Sequence, residues 1–484
     1  MKARLARSLH LVHRWLGIGA GLLVLGWFVS GLVMLYVPFP KLTAEERLPR
    51  LAPIAAEAVR ISPAQAAATL CPGEPRSLRL TTLDARPVFH FQGKGGACSV
   101  WADSGLPVGP VSAEAARETA RRFLGATSIG EAESIQRDQW TVYASHNAHR
   151  PLYRVAANDA AGTELYISSR SGEVLVDTTR FERDWSWIGT VLHWVYFTPL
   201  RDNNDLWRQI VLCLSFTALL TTTTGLWLGI QRLRLKKRYP RGHVTPYRGI
   251  KRWHHLLGLT AGGFACTWLL SGWLSQHPFG LLEVTSPPPG AARRLTGGPL
   301  QASADLALLH RQLARLPDTR EAEWQRFAGR NYLELRAPDN KLRVDEHAEI
   351  APPFSVKTLA EAVHALESAP VARAELIHAP DLYYYGHRSA LILPAARIRF
   401  TDSQDTTYYM DPASGRTLLR LDDANRRHRW IFNALHRFDF PPIGGLRPLW
   451  DIIVTTLCLL GAALATSGCI LGWRRINSRH HPHP

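Results

Sequence analysis

The chain has 484 residues, six cysteines, a net charge of +17 and a mean hydropathy of −0.11. So few cysteines over such a length exclude a small scaffold stapled by disulfides. The average looks soluble, yet Trp15–Val37, Gln209–Ile230, Leu256–Ser275 and Ile452–Trp473 carry no charge, and each has the roughly 20 residues of a membrane-spanning helix, which excludes a wholly soluble protein.

In chain order, residues 1–37 read as a cytoplasmic amino terminus and a first transmembrane helix. The apolar run exceeds the ~7–15-residue core of a signal peptide and no small-x-small cleavage site follows, so the helix is expected to be retained. Residues 38–184 form an outward domain of mixed α and β character. Within it Ala113–Leu124 has helical periodicity, Leu152–Ala156 and Leu165–Ser168 alternate, and Ser169–Gly172 turns into Glu173–Asp177. Cys71 and Cys98 share this domain, where an oxidising compartment permits a structural disulfide. Aromatic-rich residues 185–206 are expected to lie as an amphipathic interfacial helix, followed by a second span at 207–230.

A basic loop (231–253) leads to a third span at 254–275. The second outward domain, 276–427, is entered through Pro- and Gly-rich Ser286–Pro299. A second interfacial helix (428–448), a fourth span (449–473) and a tail (474–484) complete the chain. Met1–Arg14, Gln231–Arg252 and Arg474–Pro484 hold sixteen basic residues and no acid. That asymmetry puts both termini and the central loop in the cytoplasm and the long segments outside. Topology and anionic headgroups account for the charge, so nucleic acid is not expected as a partner. Cys213, Cys266, Cys458 and Cys469 fall within spans as small apolar residues.

The sequence also matches itself. At an offset of 241, His13, Gly17, Gly21, Trp27, Ser30 and Gly31 fall on His254, Gly258, Gly262, Trp268, Ser271 and Gly272. At 243, Trp187, Leu192, His193, Phe197, Pro199 and Trp207 fall on Trp430, Leu435, His436, Phe440, Pro442 and Trp450, and Gly225 and Gly229 fall on Gly468 and Gly472. One two-residue insertion reconciles the offsets. The expected fold is an α-helical membrane protein with four transmembrane helices from a duplicated unit and two outward α+β domains. Both copies start inside, so the repeats are parallel, related by an axis along the membrane normal.

Of 20 histidines, three pairs superpose in the repeat. His13 and His254 sit at the cytoplasmic ends of the first and third spans, and His193 and His436 in the interfacial helices. A two-fold relation can bring each pair face to face near opposite membrane surfaces, as the two axial positions of a haem iron require. Gly17, Gly21, Trp27 and Gly31 lie within about 80° of the His13 direction on the helix. Those small residues either leave room for a flat macrocycle or pack helices closely as small-xxx-small motifs. An ionisable residue at a membrane boundary costs free energy, and its presence in both copies suggests a joint task. His193 and His436 could instead be incidental to an aromatic interfacial belt. His146 and His387 lie in outward loops beside tyrosines, where hydrogen bonding is the simpler role. His10 and His255 neighbour the cytoplasmic pair and could exchange roles with it. The tail residues His480, His481 and His483 read as solvated.

No Walker loop, HExxH, CxxC or G-x-S-x-G is present, and no G-x-G-x-x-G follows an expected strand. The cytoplasmic segments total 47 residues, too few to fold a flavin or nicotinamide domain. Electrons, if handled, come from a quinol or another protein.

Three motifs carry a family resemblance: His13-Arg14-Trp15-Leu16-Gly17, Tyr409-Met410-Asp411-Pro412-Ala413-Ser414-Gly415, and Arg429-Trp430-Ile431-Phe432-Asn433-Ala434-Leu435-His436 followed by Leu446-Arg447-Pro448-Leu449-Trp450-Asp451. In this order, over nearly the whole chain, they resemble the PepSY-associated transmembrane family of bacterial inner-membrane proteins. That family includes iron-regulated proteins and haem-containing reductases of ferric siderophores. The resemblance implies two PepSY-like periplasmic domains and two b-type haems passing electrons outward to ferric chelates. His13 and His254 would be the cytoplasmic ligands and His193 and His436 the periplasmic ones. The third span opens with His254-His255-Leu256 and lacks the His-Arg-Trp of the first. His10, His255, His146 and His387 therefore stand as alternates.

The expected function is a transmembrane conduit reducing a ferric siderophore or other ferric chelate outside, with a quinol or reductase as donor and the lipid bilayer as solvent. Bis-histidine haem has no open position, so no general acid or nucleophile is needed. Arg388, Tyr383, Tyr384 and Tyr385 could hold an anionic chelate or simply form a solvated loop. Trp27 lies about 21 Å along the helix from His13, and with Trp268 it could relay electrons or fill the bundle centre. The rival reading is a non-enzymatic sensor, a peptide- or protease-binding module or an accessory subunit, in which the histidines only pack.

Overall fold

The computed structural model describes residues 2–70, 74–93, 96–126, 128–386 and 391–477. Cys71, His387, Arg388 and the three tail histidines lie outside the described residues. Four helices are long and apolar enough to cross a membrane: Lys2–Met34, Asn204–Arg232, Ile250–Leu274 and Leu449–Asn477. Such helices satisfy their backbone polar groups internally, as hydrocarbon demands. The second starts at Asn203, whose side chain accepts from the Leu206 amide at 3.0 Å. Its polar run Thr221–Thr224 is compatible with lipid because each hydroxyl donates to the carbonyl four residues back, at 2.7–2.9 Å.

Each span packs on two neighbours, in the cyclic order first, second, third, fourth. The first and third therefore face each other across the diagonal. Phe28 of the first reaches Phe264 and Trp268 of the third, with ring centroids 6.4 and 5.9 Å apart. Gly461 on the fourth makes this possible, because a Cβ there would fall 2.2 Å from the Phe28 ring. The chain is a multi-pass membrane protein.

Fourteen strands lie outside the bundle among the described residues, in three antiparallel sheets. The first half supplies β1 (Pro75–Leu83), β2 (Arg86–Gly93), β3 (Gly96–Trp101), β4 (Ala132–Ile135), β5 (Leu152–Ala156), β6 (Glu164–Ser168) and β7 (Val174–Thr178). The second supplies β8 (Glu321–Phe327), β9 (Arg330–Arg336), β10 (Lys341–Val344), β11 (Val371–Ile377), β12 (Ala395–Phe400), β13 (Thr407–Met410) and β14 (Thr417–Leu421). Strands β4–β7 and β11–β14 make two four-stranded sheets in simple order. Helix Ala113–Leu124 packs on the first and Val356–His364 on the second. The remaining strands join into one six-stranded sheet, β10-β9-β8-β1-β2-β3. Its central pairing, Arg79 opposite Glu323 and Leu80 opposite Ala322, unites the two halves.

The expected helix at Ala113–Leu124 forms with those bounds, capped by Ser112 and ended by Gly125 at φ 62°. The expected strands and turn at 152–177 also form, within one or two residues. Gly172 and Gly415 end equivalent turns at φ 73° and 72°, and a Cβ at either would fall 2.6 Å from Leu83 or Phe327.

The interfacial segments differ from expectation. The first is not one helix over 185–206. It starts at Arg180, passes through a π-helical turn at Trp187–Val191, and stops at Trp194. Thr198–Arg201 is separate, and the second span already begins at Asn204. The second likewise runs from Asp423 through a π-turn at Arg429–Ala434 to Arg437. Charged first turns carry no apolar period, so the starts are set by caps, Thr179 with Glu182 and Asp422 with the Asn425 amide. Val195 and Phe438 then end both helices at φ 54°.

A buried charge cluster lies where the halves meet. Glu321, 1% exposed, pairs with Arg47 at 2.7 Å, Arg79 at 3.0 Å and Arg336 at 2.7 Å. Arg79 also reaches Glu173 at 2.8 Å. Burial alone would raise the Glu321 carboxyl, but the three guanidiniums hold it down at about 2.

Candidate functional site

The fold brings the histidines together in pairs. The His13 and His254 rings have centroids 6.2 Å apart near the amino-terminal ends of the first and third spans. His193 and His436 have the same separation, 6.2 Å, at the other end of the bundle. There they pack against Gly31 and Gly272, late in the same two spans.

Hydrogen bonds fix the state of all four rings. His13 Nδ1 donates to the Thr221 carbonyl and His436 Nδ1 to the Trp268 carbonyl, both at 2.9 Å. His254 Nδ1 meets Ser467 Oγ at 2.9 Å, and His193 Nδ1 meets Ser30 Oγ at 3.0 Å. Each of those hydroxyls already donates to a carbonyl, Leu464 or Trp27, so each accepts from the imidazole. Every ring is therefore the Nδ1–H tautomer, with a free lone pair on Nε2 and no hydrogen-bond partner for it among the described residues. Metal-ligating histidines are oriented in this way. Burial, reinforced by the facing His436, lowers His193 to about 3; burial likewise lowers His436, against the opposing effect of its Trp268 bond. The outer rings are neutral at physiological pH.

Glycines seat the rings. A Cβ at Gly225 would fall 2.4 Å from Cε1 of His13, at Gly468 3.3 Å from that of His254, and at Gly272 3.1 Å from that of His436. At Gly31 the gap to His193 is 3.6 Å. Gly31 and its match Gly272 lie on the histidine face that the sequence pointed to, whereas Gly225, Gly468, Ser30 and Ser271 were not distinguished as site residues by sequence reasoning, although the repeat matches Gly225 with Gly468 and Ser30 with Ser271. Gly17 and Gly21, and likewise Gly258 and Gly262, lie 3.1–3.7 Å by their virtual Cβ from side chains of the adjoining spans. They serve helix packing.

These residues fit a haem. A nitrogen lies about 1.1 Å from the centroid of a ring with bonds of about 1.35 Å, and an imidazole nitrogen binds a metal at about 2.0–2.1 Å. Two rings on one ion then have centroids about 6.3 Å apart, close to the separation of both pairs. Among the described residues no three His, Cys, Asp or Glu side chains converge on a point. A pair of imidazoles alone suits a metal whose other positions are already filled, as in haem.

The alternates stand elsewhere. His255 is buried with both nitrogens engaged, Nδ1 by Thr245 Oγ1 at 2.7 Å and Nε2 by the Gly229 carbonyl at 2.9 Å. It ties the loop at 231–253 to the second span and has no free lone pair to offer. His10 turns back to the Ala6 carbonyl of its own helix at 2.8 Å. His146 lies in the turn Ala144–His149, and no histidine faces it as a partner among the described residues. Cys98 is disulfide-bonded, and Cys213, Cys266, Cys458 and Cys469 are free.

Trp27 and Trp268 stand beside the outer pair but differ in role. Trp27 Nε1 donates to the His193 carbonyl at 3.1 Å. Trp268 packs on Phe264 at 5.3 Å, and its Nε1 has no hydrogen-bond partner. Tyr384 stacks on Tyr409 at 4.9 Å and donates to the Ile392 carbonyl. Tyr383, Tyr384 and Tyr385 together line an outward cleft of about 1410 Å³.

No curated protein matches the chain. The family model of the PepSY-associated TM region matches residues 10–330, about two thirds of the sequence, including His13, His193 and His254. The chain is a member of the PepSY-associated TM region family.

Proposed function

We propose that this protein is a di-haem electron conduit of the bacterial inner membrane, built from a duplicated unit with two periplasmic PepSY-like domains. It takes electrons from a quinol or cytoplasmic donor and reduces ferric chelates, ferric siderophores foremost, on the periplasmic side. The observation that carries this reading is the pair of facing histidine couples, each 6.2 Å between centroids, at opposite ends of one bundle. His13 and His254 would hold the cytoplasmic b-type haem and His193 and His436 the periplasmic one. When bound, a bis-imidazole haem supplies one-electron outer-sphere transfer without opening a coordination position.

The chain's own residues hold the lone pairs in place. Thr221, Ser467, Ser30 and the Trp268 carbonyl orient the imidazoles, and the glycine seats let helices close around them. Phe28, Phe264 and Trp268 fill the diagonal between the pairs and exclude water from it. A low-dielectric surround favours the neutral imidazoles that ligation needs.

An absorption spectrum of the purified protein before and after dithionite tests the reading. About two low-spin haems per chain are expected, and His193→Ala or His436→Ala should remove one and leave the other. A colourless protein ends the proposal.

A further inference from the structure

Each four-stranded sheet holds a loop by the same device. Asp138 follows β4, and its Oδ1 accepts the Trp140 and Thr141 amides at 3.0 and 3.1 Å, while its Oδ2 accepts the Tyr166 hydroxyl of β6 at 2.7 Å. Asp381 follows β11, and its Oδ1 accepts the Tyr383 and Tyr384 amides at 2.9 and 2.8 Å, while its Oδ2 accepts the Tyr409 hydroxyl of β13 at 2.6 Å. Asp138 matches Asp381, and Tyr166 matches Tyr409, at the offset of 243. One carboxylate oxygen thus starts the turn and the other ties it to the sheet. Both tyrosines are buried, at 0% and 2% exposure, so the ties are sheltered from water.

Each loop then reaches the bend just past a paired histidine. His193 and His436 are followed, two residues on, by Val195 and Phe438 at φ 54°. The next residues, Tyr196 and Asp439, are again matched at 243. Gln139 Nε2 donates to the Tyr196 carbonyl, and Gln139 Oε1 accepts from the Thr198 amide at 3.3 Å and its hydroxyl at 3.0 Å. Trp140 and Val142 pack in one cluster with Val191, two residues before His193. In the other half the Tyr385 hydroxyl bonds to the Asp439 side chain. At the offset of 243 Gln139 falls on Leu382, not on Tyr385. Two unlike residues therefore connect to the same place, the third residue after a histidine. What the halves share is the contact and not the residue that makes it, which locates the demand at the bend.

We propose that Asp138 and Asp381 are positioning residues for His193 and His436. Each carries the rigidity of a sheet, through Gln139 or Tyr385, to the backbone behind the imidazole. The consequence for a cofactor rests on the proposed haem reading, in which these clamps set the planes of the two axial rings. Ser30 and the Trp268 carbonyl hold the rings at Nδ1 from the bundle side. One hydrogen bond fixes a point and a direction, whereas the plane of the ring depends also on where the backbone is held. The sheets supply that second constraint, as the support of a metal ligand requires. A disturbance of either sheet is then felt at the nearer imidazole.

The test uses the full-length protein in detergent and two readouts. Hydrogen–deuterium exchange is followed over residues 187–197 and 430–440, and electron paramagnetic resonance reads the ferric haems, whose low-spin g values follow the angle between the imidazole planes. Gln139→Ala, which leaves the sheet and its tie intact, should speed exchange around His193 about fivefold or more. It should also shift the g values of the haem at His193 and His436 and leave those of the other haem in place. Tyr385→Phe should do the same around His436, and Asp138→Ala should match Gln139→Ala. Asp159→Ala is the control, because Asp159 closes another turn of the same sheet, on the Thr163 amide and hydroxyl at 2.8 and 2.7 Å. Its loss should lower thermal stability with both readouts unmoved. Unchanged exchange in either Gln139→Ala or Tyr385→Phe overturns the proposal. So does faster exchange with an unshifted haem signal, or an Asp159→Ala that moves the signal as far as Asp138→Ala does. A haem-free protein whose exchange responds as expected sinks the conduit and leaves the clamps standing, whereas a protein loaded with both haems whose exchange does not respond sinks only the clamps.

Discussion

Gly225 of the second span and His13 of the first are in contact, so that a methyl group at Gly225 would fall 2.4 Å from the imidazole Cε1. The helix backbone is thus the floor on which a ring rests, and the ring cannot retreat without breaking its bond to the Thr221 carbonyl.

Gly225→Ala is expected to displace His13, at a cost of about 1–3 kcal/mol for overpacking, and to remove the cytoplasmic haem alone. Gly31→Ala is the contrast, because its 3.6 Å gap to His193 is ordinary contact. Haem stoichiometry by pyridine haemochrome and thermal unfolding in detergent would separate the two. Equal haem loading in both variants would show that the seat does not position the ligand.

Trp27 and Trp268 are matched in the repeat, but only Trp27 bonds to an outer histidine through its indole, donating to the His193 carbonyl, whereas Trp268 accepts from His436 with its backbone carbonyl. Trp27→Leu should loosen that segment by about 1 kcal/mol and shift the reduction potential of the outer haem, while Trp268→Leu should leave it in place. Combining both changes tests the relay. Normal haem content with slower transfer between the haems would support it, and unchanged kinetics would leave anchoring and packing as their roles.

Acid should loosen the joint between the halves. The Glu321 carboxyl falls from 4.5 to about 2 in the folded protein, a difference that corresponds to about 3 kcal/mol. A lowered folded value means that this stability is fully present above pH 4.5 and is lost as pH falls toward 2. His90, lowered by burial from 6.5 to about 4, adds a loss between those two values. Glu321→Gln should therefore depress the unfolding temperature at pH 7, with three guanidiniums left short of a partner, and flatten its decline between pH 5 and 3. A decline as steep as that of the unaltered chain would place the acid-sensitive group elsewhere.

A reporter fused after Arg241 is expected to lie in the cytoplasm and one after Gly105 in the periplasm. An alkaline phosphatase and fluorescent-protein pair reads both sides, and the opposite pattern would reverse the proposed direction of electron flow.

The histidine pairs were legible because each stands at matching places in two copies of an otherwise apolar pattern. Adjacency in sequence misled at His255. One residue along a helix is a rotation of about 100°, which turns His255 from the partner histidine toward Thr245 and Gly229. The seat at Gly225 was visible only as a match to Gly468, since 212 positions separate it from His13 and no local pattern joins them. The early helix start at Arg180 was hidden by its charged first turn. Pairing of β1 with β8 was also hidden, because a strand's own residues do not identify a partner more than 240 positions away.

That β1–β8 pairing has a mechanical consequence. Besides the packing of their spans, the halves are joined by the loop at 231–253 and by the shared sheet, whose core draws Leu80 and Phe89 from one half and Trp324 and Leu333 from the other. The peptide link is then redundant for assembly. Cut at the loop, or made as two separate chains, the halves should find each other through the same strands and the same diagonal of histidines, and purify as one particle.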